Sequence, residues 1–219
     1  MLNWMEGSNK MKHTLYILLF LLTLTSCQSQ TGNKTSNDNL GGPCEGCEAV
    51  YDYGDRYLPA VDTLPGFQEN EPKIKITGTV FKLDGKTPAA DVILYIYHTN
   101  RKGIYETRGG EEGWARRHGI FRGWIKTGAD GRYTFYTFRP ASYPSGIAAE
   151  HIHITVKEPN KKEYYITDYY FEDDPLLTSR VRNNLKPRGG SGIMKPVLQN
   201  GIYVIERDII LGLNIPNYE

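Results

Sequence analysis

Residues 73–98, KIKITGTVFKLDGKTPAADVILYIYH, decide how the rest of the chain is read. Lys73 to Phe81 and Asp91 to His98 are β-rich runs, and Leu83-Asp84-Gly85-Lys86 between them carries the Asp-Gly chemistry of a turn. The stretch therefore predicts a strand, a turn and a second strand. The arrangement repeats downstream: Phe121 to Thr127, the turn Gly128-Ala129-Asp130-Gly131, then Arg132 to Phe138. Further strands are expected at His151 to Val156, Tyr164 to Phe171 and Ile202 to Leu211. Short strands punctuated by Gly, Asp and Pro imply an all-β fold, a β-sandwich or barrel with long irregular loops.

Composition agrees. Of 219 residues, 39% are hydrophobic and 16 are Tyr, which suits a compact β-rich domain. With 23 Gly and 12 Pro and no sustained amphipathic run, a helix bundle is the least attractive class. The 26 Lys plus Arg against 25 Asp plus Glu leave a net charge of +1, which argues against a polybasic nucleic-acid binder.

Working toward the N-terminus, residues 41–72 are irregular and contain Pro, and are expected to wrap the sandwich formed by residues 73–219. Residues 27–40 are a polar, Asn/Ser/Thr-rich tether. Leu15 to Leu24 is a short apolar run behind Lys10 and Lys12, too short to span a bilayer comfortably. It ends in Leu24-Thr25-Ser26-Cys27, which resembles a bacterial lipoprotein lipobox. Residues 1–26 are then a signal peptide and Cys27 the lipidated N-terminus of a cell-envelope lipoprotein, in the outer membrane or facing the periplasm. An exported protein meets oxidising conditions, and with Cys27 modified, Cys44 and Cys47 remain as an even pair. A local disulfide is the first reading. A redox-active pair would need a helix N-terminus to lower a thiol pKa, and a zinc ribbon would need a second pair of cysteines.

In His151-Ile152-His153 the alternation of a strand sends both imidazoles to one side and Ile152 and Ile154 to the other, the geometry for chelating one metal. Upstream, Tyr143 is held by Pro144 and Tyr105 follows Gly103-Ile104, each at a strand end. In a chain with 16 Tyr any one is ordinarily packing, so the order Tyr, Tyr, His-x-His carries the argument. Glu150, on the opposite face from His151, is a poor third ligand.

Over residues 74–211 the chain resembles the intradiol ring-cleavage dioxygenases, the family of catechol and protocatechuate dioxygenases. Thr77 to Pro88 and Ala90 to Tyr97 match the opening hairpin, and Gly103-Ile104-Tyr105 the first ligand turn. Phe121-Arg122-Gly123, Asp130 to Phe135 and Thr137 to Pro140 match the central hairpin, and Tyr143-Pro144 and His151-Ile152-His153 the remaining ligands. Tyr169 to Pro175 resembles the segment that follows. The resemblance implies Fe(III) held by Tyr105, Tyr143, His151 and His153, a catechol-type substrate, and cleavage of the ring between the two hydroxyl-bearing carbons with both atoms of O2 incorporated. It implies that Tyr143 also acts as the base that accepts a substrate proton, and that the role lies in aromatic compound catabolism.

The chemistry supports that ligand set independently. Ferric iron is a hard acid that favours anionic oxygen, and a bound cation stabilises phenolate. Two histidines with a carboxylate would instead suggest Fe(II). Two departures from the family stand out: Ala148 where an arginine is common, and Asp168 where a glutamine is common, both expected to face the substrate. Of the remaining charged residues, Arg122 reads as pinning a turn. Glu106 to Gly119 reads as a charged loop anchored by Trp114, with Arg116, Arg117 and His118 on a solvated face.

A second reading is a non-catalytic, lipid-anchored module resembling transthyretin-like sandwiches, whose opening hairpin has the same pattern. Either form is compatible with a homo-oligomer, and the membrane contact is through the lipid anchor.

Overall fold

The computed structural model describes residues 40–219, so the signal peptide, Cys27 and nearly all of the tether lie outside the described residues. In chain order the strands are β1 (Val61–Thr63), β2 (Lys73–Phe81), β3 (Ile93–Tyr97), β4 (Arg122–Lys126), β5 (Arg132–Phe138), β6 (His151–Lys157), β7 (Tyr164–Tyr165), β8 (Tyr169–Phe171), β9 (Ile193–Met194), β10 (Val197–Gln199), β11 (Ile202–Glu206) and β12 (Ile209–Ile210). Two short helices of six residues each, α1 (Gly113–His118) and α2 (Ser179–Asn184), sit in loops.

The strands form the two sheets of a β-sandwich. One runs β1-β5-β2-β11-β10 with β12 also on β2, and the other β4-β3-β6-β8-β9 with β7 on β6. Alternation decides what fills the space between them. Ile74, Ile76 and Val80 of β2, Leu94 and Ile96 of β3, and Ile152, Ile154 and Val156 of β6 are all buried in one cluster. Each contributes about 1.5–3 kcal/mol by leaving water. The second sheet is covered on its outer face too, where Tyr95 and Trp124 pack with Ala49, Val50 and Leu58 of the N-terminal segment. That double coverage explains the near-continuous apolar character of Ile93–Tyr97.

The strand positions follow the sequence reading, but the pairing does not. β2 pairs with β5, β11 and β12, and β3 with β4 and β6, so β2 and β3 are not a hairpin: the turn at Asp84 closes only the antiparallel bridge of Phe81 with Pro88 before the chain crosses to the other sheet. The turn at Gly128–Gly131 likewise leads from β4 in one sheet to β5 in the other. The two crossings are buckled together. Thr127 Oγ1 donates to Ala89 O (2.8 Å) and accepts from Val92 N (3.0 Å), and Val80 N donates to Gly131 O at 2.8 Å. Gly131 has φ 67, and a Cβ there would stand 2.5 Å from Val80 O.

Two expected long strands are broken. Tyr164 to Phe171 splits around Ile166–Asp168, because Thr167 N turns to Arg188 O (3.1 Å) and Thr167 O accepts from the buried Arg207 Nη1 (2.7 Å). Ile202 to Leu211 splits at Arg207, whose carbonyl lies 1.9 Å from where a Gly78 Cβ would be. Within residues 41–72, Ala49, Val50 and Leu58 pack on the second sheet, Cys47–Tyr51 forms a 3-10 turn, and β1 joins the first sheet parallel to β5. Among the described residues no helix is long and apolar enough to cross a membrane.

Candidate metal centre

The site lies on the outer face of the second sheet. Ile152 and Ile154 point into the core, so His151 and His153 of β6 face outward, and Tyr97 of β3 stands directly across from His153 in the register. The tyrosines arrive from two loops stitched to each other. Asn100 Oδ1 accepts from Lys102 N (2.8 Å) and Ile104 N (3.1 Å), which shapes the turn that presents Tyr105. Thr99 Oγ1 donates to Ala141 O at 2.7 Å, and Arg101 Nη1 donates to Arg139 O and Pro140 O at 2.9 and 3.0 Å, tying in the loop that presents Tyr143. Gly103, with φ 74, lets the two turns touch: a Cβ there would lie 1.9 Å from Ser142 O.

The four donor atoms converge. Tyr105 Oη lies 2.7 Å from Tyr143 Oη and 2.9 Å from His153 Nε2. Tyr143 Oη lies 3.2 Å from His151 Nε2 and 3.3 Å from His153 Nε2, and the two Nε2 atoms are 3.2 Å apart. A metal with bonds of about 2 Å has donor-to-donor edges of roughly 2.8–3.3 Å. Hydrogen bonding alone satisfies this cluster poorly. His151 Nδ1 faces Ala149 O at 2.6 Å and His153 Nδ1 faces Asp168 Oδ2 at 3.1 Å, so each Nδ1 has an acceptor for a ring hydrogen. Both Nε2 atoms then present lone pairs to each other, and five close contacts share only two hydroxyl protons. The residues fit a cation.

Burial, the Tyr143 hydrogen bond and neighbouring charge push the Tyr105 phenol far up. Burial and Asp168 raise Tyr143 against the opposing bond from Tyr105, while burial and His153 lower His151. Without a cation both phenols stay protonated, and a bound one reverses that direction.

Asp168 sits in the break between β7 and β8. It comes within 4.8 Å of both histidines, yet it lies on the Nδ1 edge of His153, away from the Nε2 that faces the tyrosines, so it backs the cluster and does not complete it. Burial alone would raise its carboxyl, but His153, His151 and Arg207 hold it low. A cleft of about 360 Å³ reaches the cluster at His153 and is lined by Asp168, Tyr97, Thr155, Tyr165 and the loop Pro43–Cys47, with no Lys or Arg among its lining residues. Cys44 and Cys47 are joined by a disulfide, with Cα atoms 5.6 Å apart. Ala148, expected beside the substrate, is half-buried in the loop before β6 and is not among the cleft residues. Glu150 turns away and binds Arg139 Nε at 2.5 Å, and the same arginine reaches Asp173 at 2.9 Å.

The sequence reading missed two contributors. Tyr97 stacks on His153 (4.5 Å between centroids), and His118 stacks on the other face of Tyr97 (3.7 Å). His118 does not belong to a solvated face: α1 buries it with its Nδ1 2.8 Å from Tyr95 Oη, and burial and His153 lower its pKa to about 3. Trp114 does anchor that loop, and Arg122 pairs with Asp52 (2.8 Å) over the Trp124 ring. The signal for Tyr97 was its place in a strand, but its relevance depended on which strand lies beside it.

A two-sheet sandwich with two tyrosines and two histidines gathered on one outer face is the architecture of a protein that can hold a metal ion. The model of the family described as "Dioxygenase" matches residues 60–189. Catechol 1,2-dioxygenase 1 of Acinetobacter lwoffii is 31% identical over 125 residues, 50% of this chain and 39% of that protein. The protocatechuate 3,4-dioxygenase beta chain of Burkholderia cepacia is 28% identical over 137 residues, 57% of this chain and 58% of that one. Among solved structures, the dioxygenase domain of a dioxygenase–carbohydrate-binding protein fusion from Streptomyces sp. SirexAA-E aligns over 72% of this chain and 93% of that one, at 24% identity and a TM-score of 0.54. For 3-chlorocatechol 1,2-dioxygenase of Rhodococcus opacus 1CP the shares are 72% and 68%, at 21% identity and a TM-score of 0.52. The chain belongs to the intradiol dioxygenase family, whose members use ferric iron. It spans less than two thirds of the length of the two curated relatives.

Proposed function

We propose that this protein is an Fe(III) intradiol dioxygenase that opens catechol-type rings between the hydroxyl-bearing carbons, acting in the cell envelope as a lipoprotein anchored through Cys27. The observation that carries the reading is the convergence of Tyr105, Tyr143, His151 and His153 with too few protons to satisfy one another. Ferric iron, when bound, supplies the Lewis acidity that activates the diol toward O2. Two phenolates would offset most of its charge, and the two neutral imidazoles would complete the set.

The two tyrosines are held differently, and this supports different roles. Tyr105 is braced by the segment Gly119–Ile120, since Ile120 N donates to Glu106 O at 2.8 Å and Gly119 packs on the Tyr105 and Glu106 backbone. Tyr143 leads into the exposed stretch Pro144–Ile147. A residue on that loop has room to swing, so the Tyr143 phenolate oxygen accepts a hydroxyl proton from the diol while Tyr105 stays in place. Asp168, standing behind His153, adds a carboxylate close to the centre, which disfavours anionic substrates. A transthyretin-like binding module would share the sandwich, but it has no use for this donor set, and family membership does not favour it.

The test is oxygen uptake and product identification with iron-supplied protein on catechol, hydroxyquinol and protocatechuate. The expected result is a coloured protein that yields ring-opened diacids from the neutral diols and handles protocatechuate worst. Cleavage outside the diol or a preference for protocatechuate would overturn the reading, and a colourless protein inert to every diphenol would favour the binding module.

A further inference from the structure

The two histidines of the cluster are backed by different groups. His151 Nδ1 faces a neutral carbonyl, Ala149 O, at 2.6 Å, whereas His153 Nδ1 faces a carboxylate oxygen of Asp168 at 3.1 Å. We infer that Asp168 is a positioning residue: by holding the Nδ1 hydrogen of His153 it aims the Nε2 lone pair at the cluster and gives that one imidazole anionic character as a donor. This rests on the ferric reading above and deepens it, because it makes the two imidazoles unequal.

The backbone is built to deliver this carboxylate. β7 and β8 are interrupted only by Ile166–Asp168, and that excursion is clamped by three hydrogen bonds from two segments. Arg207 Nη1 donates to Thr167 O at 2.7 Å, Arg188 N donates to Thr167 Oγ1 at 2.9 Å, and Thr167 Oγ1 donates to Lys186 O. On the next strand's approach Gly192 is required, since a Cβ there would sit 2.2 Å from Asp168 O. The carboxylate and the imidazole are both largely shielded, with side chains 20% and 25% exposed, so solvent does not replace their contact. Tyr97, stacked 23° from parallel on His153, holds the plane of the ring, and Asp168 fixes its rotation within that plane.

A carboxylate is an acceptor only, whereas the carboxamide common at this position in the resembling enzymes presents both a donor and an acceptor. With a carboxylate, one tautomer of His153 is satisfied and the other leaves lone pair against lone pair. Charge follows: two phenolates and a carboxylate-backed imidazole surround the metal with more negative charge than two phenolates and two neutral rings. That favours the ferric over the ferrous state and lowers the Lewis acidity of the iron.

The experiment uses the full chain loaded with iron, as wild type, Asp168→Asn and Asp168→Ala. Readouts are the visible tyrosinate-to-iron band, the ferric–ferrous midpoint potential, and iron retention against a chelator. Asp168→Ala is expected to weaken iron binding about 10–100-fold, the usual effect of losing a partner behind a metal ligand. Asp168→Asn keeps an acceptor but not the charge, so it should retain more iron than Asp168→Ala while raising the potential and moving the band to longer wavelength. If both variants lose iron or thermal stability but keep the wild-type band and potential, Asp168 is merely structural and the inference fails. Wild-type affinity, band and potential in both variants also overturns it. A wild-type protein that takes up no iron overturns the ferric reading itself, which separates the two failures.

Discussion

Gly103→Ala tests whether the contact between the two tyrosine turns holds the centre together. Gly103 is buried at φ 74, and an added Cβ would meet Ser142 O at 1.9 Å, Ser142 C at 2.8 Å and Tyr143 Cα at 3.1 Å. The left-handed backbone costs an alanine about 1–2 kcal/mol. Relieving the overlap adds about 1–3 kcal/mol, because the obstacle is backbone and cannot rotate aside. The loss expected in urea unfolding of the metal-free protein is therefore about 2–5 kcal/mol. Relief also requires the turns to part by about 1 Å, twice the roughly 0.5 Å within which a constellation of ligands must be held. Iron retention against a chelator should fall by at least about 10-fold. Gly146→Ala is the control: it also has positive φ (64), but nothing lies within 4 Å of its Cβ, so it should cost about 1 kcal/mol and leave iron binding alone. If Gly103→Ala unfolds within about 0.5 kcal/mol of wild type and keeps its iron, the coupling of the turns is refuted.

Tyr105→Phe and His153→Ala should strip the protein of iron, while Tyr143→Phe should keep part of it with an altered colour; iron content and visible spectra decide, and equal retention in all three contradicts the ligand set. Burial lowers the pKa of His98 to about 4 from 6.5, so the folded protein leaves it neutral while the unfolded chain takes up a proton. Its contribution is complete above about pH 6.5 and is lost as pH falls toward 4, at up to about 1.4 kcal/mol per pH unit. His98→Gln should flatten that slope by about one proton in urea titrations across this range, and an unchanged slope removes His98 as its source. Cys27→Ser should block lipidation and leave an unprocessed precursor, and a variant that is equally membrane-bound with no unprocessed precursor would dismiss the lipid anchor.

Much of the site was legible because its logic is local. The period of two along β6 dictates that His151 and His153 share a face whatever lies opposite, and Ile152 and Ile154 identify that face as the one away from the core. The same alternation located β2 to β6 to within a few residues. It could not say which strands are hydrogen-bonded, because every backbone offers the same N–H and C=O groups and a turn sequence such as Leu83–Lys86 serves a hairpin or a crossing between sheets equally well. Asp168, Tyr97 and His118 became part of the site only through that pairing: β3 beside β6 stacks Tyr97 on His153, α1 folds His118 onto Tyr97, and the clamped break before β8 swings Asp168 behind the ring. Residue type and order along one strand determine which groups can act together. Contacts between elements far apart in sequence decide which groups stand behind them, since those contacts come from closing the core and not from any local preference.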